Sequence, residues 1–108
     1  AVIARAIVQQ PQLVIMDEPT NHLDYGNQFR VLQMVQKLSQ KGIAVILTTH
    51  MPDQAFYLGG KTAILKPQGL EVGQVQDILT ERALEEIYKL KIKLLYLPEQ
   101  RRTICIPY

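Results

Sequence analysis

Two short apolar runs without alternation, LVIM at 13–16 and IAVIL at 43–47, constrain the fold of this chain more than any other feature. A strand with one wet face alternates apolar and polar residues, so a run with no alternation marks a strand covered on both faces, as in parallel sheets. Between the two runs, a helix from about residue 28 to 40 places Phe29, Leu32, Val35 and Leu38 on one face, and Gly42 stands where a left-handed cap would end it. The order strand, helix, strand therefore sets up a parallel core.

Upstream, AVIARAIVQQ carries Val2, Ile3, Ala6 and Ile7 as a helical stripe that Pro11 stops. It has neither a capping residue nor an initiating methionine before it, so the expectation is a chain cut from a longer one. Downstream, a short helix over 53–58 closes on Gly59 and Gly60, and KTAILK and LEVGQV read as a hairpin around a turn at 67–69. Thr80 can cap ERALEEIYKL; KLKIKLLYL then alternates Leu90, Ile92 and Leu94 with lysines, a half-exposed antiparallel strand whose partner is TICIPY. The fold class is α/β, with parallel core strands flanked by helices and a C-terminal antiparallel β appendage.

With 108 residues and 47% hydrophobic content, one domain with a real core is the expectation, not two. The net charge of +2 arises from 12 basic and 10 acidic side chains that are intermixed, so no basic stripe offers itself to nucleic acid. Cys105 is the single cysteine and cannot form an internal disulfide, and no signal-peptide layout is present, which fits the cytosol. The apolar runs fall far short of the roughly 20 residues a membrane helix needs.

Asp17 and Glu18 follow the first strand directly, and His50 lies just beyond the second. In sheets of this kind ligands bind at the carboxyl ends of the strands. An aspartate there can hold Mg²⁺ directly or through water, because that ion takes one or two carboxylates and completes its shell with water and substrate phosphates. Glu18 can polarise an attacking water, and His50 can donate a hydrogen bond to a γ-phosphate. Together they form the hydrolytic half of a phosphoanhydride site. Met16, Met34 and Met51 have no metal-ligand spacing and read as packing residues.

LVIMDEPTNHLD resembles the Walker B segment and D-loop of ATP-binding-cassette (ABC) ATPases, ILTTH at 46–50 is similar to their H-loop, and AVIARAIVQQPQ looks like the helix and turn after the family's signature motif. The resemblance implies ATP and Mg²⁺ as cofactors. By position it makes Asp17 the Walker B aspartate near Mg-ATP, Glu18 the catalytic glutamate and His50 the γ-phosphate contact. Asp24 becomes the D-loop aspartate that reaches a partner cassette, a role compatible with capping the next helix. A nucleotide site also needs the loop Gly-x-x-x-x-Gly-Lys-Ser/Thr, whose amides and lysine hold the phosphates. GGKT at 59–62 only imitates its end: the first glycine would fall on Ala55, and a helix precedes and a strand follows. The signature Leu-Ser-Gly-Gly-Gln and the Q-loop are missing as well. Residues 1–108 are thus expected to be the C-terminal part of an ABC ATPase domain, inactive in isolation.

TTHMPDQAF and the tail LTERALEEIYKLKIKLL with TICIP are similar to importer cassettes for iron-siderophore, haem and cobalamin-type chelates. For the intact protein this implies a homodimer of cassettes that hydrolyses ATP and drives a transmembrane permease, cytoplasmic and peripheral to the inner face of the membrane. Against it, Asn21-His22-Leu23-Asp24 is a spelling common in soluble, translation-associated cassette proteins, the alternative class. In the family the phosphate-loop strand lies beside the strand leading to the switch histidine, so the resemblance also implies that 43–48 is a bare edge through which the fragment self-associates.

Overall fold

The structure is a computed structural model that describes residues 13–108; the helix expected over 1–10 lies outside the described residues. The chain divides between His50 and Met51 into two compact units.

In the first unit, β1 (Leu13–Met16) is followed by α1 (Tyr25–Gln40) and β2 (Ala44–Leu47). The strands pair in parallel, from Leu13 opposite Ala44 to Met16 opposite Leu47. Helix α1 starts earlier than its apolar periodicity suggests because Asp24 is its N-cap: the carboxylate accepts the Asn27 N–H at 2.8 Å. Gly42, at φ +84°, takes the left-handed position that follows the helix. Among the described residues of this unit, Val14 and Met16 of β1 and Leu32, Val35 and Leu38 of α1 are the buried apolar ones.

The strands are not covered on both faces. Leu13, Ile15 and Ile46 are 48%, 68% and 56% exposed, because Val14 and Met16 take the buried side of the pleat and no described element packs on the other. Phe29, expected on the buried face of the helix, is 40% exposed. Among the described residues β2 pairs only with β1, so its second edge carries no strand.

The second unit runs α2 (Pro52–Leu58), β3 (Lys61–Lys66), β4 (Gly69–Gln74), α3 (Val75–Ile78), α4 (Glu81–Tyr88), β5 (Ile92–Leu97) and β6 (Arg102–Pro107). Both strand pairs are antiparallel hairpins, as their alternation requires. Val75 does not extend β4 as LEVGQV suggests; it opens the single helical turn α3, which buries Val75 and Ile78. A side chain on Gly73 would come within 3.0 Å of Ile78, so the glycine makes room for that turn. Val75, Ile78, Leu79, Leu84 and Ile92 form the core, with Phe56, Ile64 and Leu94 packed against it.

Three carboxylates close the outer amides of the β5–β6 hairpin. Glu85 accepts the Ile92 N–H at 3.0 Å, Glu81 the Leu94 N–H at 2.7 Å, and Asp53 the Cys105 N–H at 2.7 Å. Pro107, which has no N–H, stands opposite Ile92, whose amide points out of the ladder, so the ladder loses nothing there.

Candidate hydrolytic site

Because β1 and β2 run parallel and in register, their carboxyl ends deliver Asp17-Glu18 and Thr48-Thr49-His50 to the same edge. The Thr48 N–H donates to the Met16 carbonyl at 3.1 Å and extends the ladder by one bond. The Thr48 hydroxyl then donates to Asp17 Oδ1 at 2.7 Å and accepts the Glu18 N–H at 2.9 Å. Glu18 holds a left-handed backbone, φ 45°, and its carboxylate meets His50 Nε2. The His50 side chain is 84% exposed and that of Glu18 28%.

The residues after Glu18 turn twice, with Asn21 N–H on the Glu18 carbonyl and Leu23 N–H on the Thr20 carbonyl. Thr20, within this loop, is buried. The turns bring the chain to Asp24, whose carboxylate bonds the Asn27 amide and side chain, which shows its capping role directly. Of the four residues singled out from the sequence, Asp17, Glu18 and His50 therefore form one group, while Asp24's hydrogen bonds are all to the start of α1. The sequence reading assigned nothing to Thr48. The position of a hydroxyl midway between two strand ends was the available signal, but it needs the strand register to be seen.

One Asp17 oxygen is taken by Thr48 and the other by no described residue. Among the described residues no three His, Cys, Asp or Glu side chains gather as a metal cage. A single carboxylate beside a strand end suits Mg²⁺ arriving with nucleotide phosphates, which supply the remaining ligands. Gly59 and Gly60, at φ 68° and 75°, end α2 and lead into β3. This is the reverse of the strand-loop-helix order that a phosphate-binding loop requires.

A family model described as "AAA domain, putative AbiEii toxin, Type IV TA system" matches residues 1–52, the stretch that contains the site. An uncharacterized ABC transporter ATP-binding protein of Haemophilus influenzae is 46% identical over 95 residues, 87% of this chain and 36% of that protein. A molybdate import ATP-binding protein of the same organism is 38% identical over 89 residues, 82% of this chain and 35% of that protein. The solved structure described as "An inward-facing conformation of a putative metal-chelate type ABC transporter" superposes with a TM-score of 0.86 at 34% identity, covering 98% of this chain and 43% of the solved one. The chain thus spans well under half the length of these relatives. It has the α/β fold of the ABC-type P-loop ATPases and aligns with a stretch of ABC transporter ATP-binding proteins.

Proposed function

We propose that the chain is the C-terminal, hydrolytic part of an ABC ATPase domain, in a protein that couples ATP hydrolysis to import of a metal chelate such as an iron-siderophore complex. The reading is carried by the convergence of Asp17, Glu18 and His50 at the ends of two parallel strands. Asp17 would hold Mg²⁺, directly or through water, and the ion would neutralise phosphate charge when bound. Glu18 is the general base that orients and polarises water, and His50, which reaches the same point as the Glu18 carboxylate, addresses the phosphoryl group. Asp24 contacts a second cassette in the intact homodimer, which works on a permease at the inner face of the membrane; no described helix is long and apolar enough to cross the bilayer itself. The metal-chelate assignment draws on the likeness to the transporter structure, and the molybdate relative marks the competing substrate class. The relatives do not favour the soluble, translation-associated alternative.

In the intact protein Glu18→Gln should retain ATP binding and lose turnover by roughly 10²-fold or more, the usual cost of removing a general base. Near-normal turnover in that variant would remove Glu18 from the role. The 108-residue chain alone, which presents carboxylates but no phosphate loop to a polyanion, should give no saturable heat on titration with Mg-ATP.

A further inference from the structure

The Thr48 hydroxyl touches both residues to which the proposed chemistry belongs, and it uses its donor on one and its acceptor capacity on the other. We infer that Thr48 is a positioning residue for the hydrolytic pair, clamping Asp17 and Glu18 to the end of β2. The inference rests on the functional reading above and deepens it.

Three hydrogen bonds tie the two strand ends at this one residue. The first, Thr48 N–H to the Met16 carbonyl, is an ordinary ladder bond that any residue would make. The other two are made only by a hydroxyl at this point. Bonding to Asp17 Oδ1 at 2.7 Å fixes the rotamer of that carboxylate and leaves its second oxygen for a cation. Accepting the Glu18 N–H at 2.9 Å holds an amide whose residue sits in the left-handed region, where glutamate is disfavoured. Thr48 is itself exposed, so its side chain is not there to fill a core. His50 lies two residues further along the same segment, so any shift of the end of β2 moves the histidine and the clamp together. The segment that carries His50 is thereby tied to Glu18 through the Thr48 hydroxyl as well as through the direct contact of the two side chains.

The test compares Thr48→Val, which keeps the β-branched shape without the hydroxyl, with Thr48→Ser, which keeps the hydroxyl, in the intact ATP-binding protein. Steady-state turnover, the KM for ATP and the Mg²⁺ concentration for half-maximal rate are measured for each, alongside Glu18→Gln alone and combined with Thr48→Val. Loss of alignment of this kind costs about 10- to 10²-fold in rate. Thr48→Val should therefore lower kcat by at least about tenfold, with the KM for ATP within about twofold, and should raise the Mg²⁺ requirement. Thr48→Ser should recover kcat to within about threefold of the original, and Thr48→Val should add no further loss to Glu18→Gln. A preserved KM shows that the variants fold. If Glu18→Gln abolishes turnover while Thr48→Val keeps kcat within about twofold, or Thr48→Ser is as slow as Thr48→Val, the clamp is refuted and the functional reading survives. Turnover that survives Glu18→Gln overturns the functional reading itself.

Discussion

Asp24 has two compatible roles, and a pair of substitutions separates them. Its carboxylate accepts the Asn27 N–H at 2.8 Å, the third residue of α1. It also supplies the negative charge at that helix end, since the first turn contains no acid. Losing an N-cap acceptor costs about 1 kcal/mol, and losing a charge at an exposed helix start costs about 0.3–1 kcal/mol. The contact from the Asn27 side chain, at 3.2 Å and exposed, adds little. Asp24→Ala should therefore destabilise the chain by about 1–2 kcal/mol, and Asp24→Asn, which keeps the acceptor, by only the charge share. Denaturant midpoints at unchanged slope measure both. An alanine variant as stable as the original, or an asparagine variant as weakened as the alanine one, would refute the capping account. In the intact protein, Asp24→Asn leaves the helix in place, so a fall in its turnover would report the proposed contact with a partner cassette.

Leu84, 1% exposed at the centre of the second core, should cost about 2–5 kcal/mol on truncation to alanine, whereas Leu65→Ala, at an 84% exposed position, should stay within about 0.5 kcal/mol by the same unfolding measurement. Burial, and after it the nearby Asp53, raises the Cys105 thiol above its ordinary value. Folding thus favours the protonated thiol, a contribution complete below the ordinary thiol value and lost as pH rises through the raised one. Alkylation by iodoacetamide should accordingly be slower in the folded chain than in urea at equal pH, and equal rates would refute this. Because among the described residues β2 pairs only with β1, and Ala44 and Ile46 are exposed, the isolated chain should form a two-fold dimer through 43–48 that Ile46→Lys disperses. A monodisperse monomer at high concentration in sedimentation would overturn that expectation.

What the sequence disclosed was whatever is encoded locally. The acids at the end of LVIM, the Thr80 cap and the alternation of Ile92 and Leu94 with Lys93 each depend on neighbours within a turn or a strand, and the structure has all of them, although Leu90, expected on the same face, lies before β5 and is exposed. Cover on the second face of β1 and β2 is not local. An apolar run reports the sheet it was selected to sit in, and this chain aligns to 36% of its Haemophilus relative. Leu13, Ile15 and Ile46 are apolar yet exposed for the same reason that their burial was expected: their pattern belongs to a sheet with both faces packed. The turn α3 is too short for helical periodicity to register, so Val75 read as the end of a strand. Thr48 meets Asp17 across 31 positions of sequence, a separation at which no spacing rule operates. Asp17, Glu18 and His50 were legible because a family motif links them; the residue that joins them was not.

The three carboxylates on the C-terminal hairpin also imply an order of assembly. Glu85 reaches its amide across 7 residues, Glu81 across 13 and Asp53 across 52. Loop closure grows as the logarithm of length, which makes the last contact about 2 kcal/mol more costly in chain entropy than the first. We therefore expect α4 and β5 to meet early in folding and α2 to seal β6 late. Asp53→Ala should then speed unfolding and leave the folding rate nearly unchanged, while Glu85→Ala should slow folding; the reverse partition in stopped-flow kinetics would refute the order. On this account the barrier to opening resides in the contact of α2 with β6, which breaks while the helix α4 and strand β5 still hold together, so the α2 end of the second unit is the first to come away.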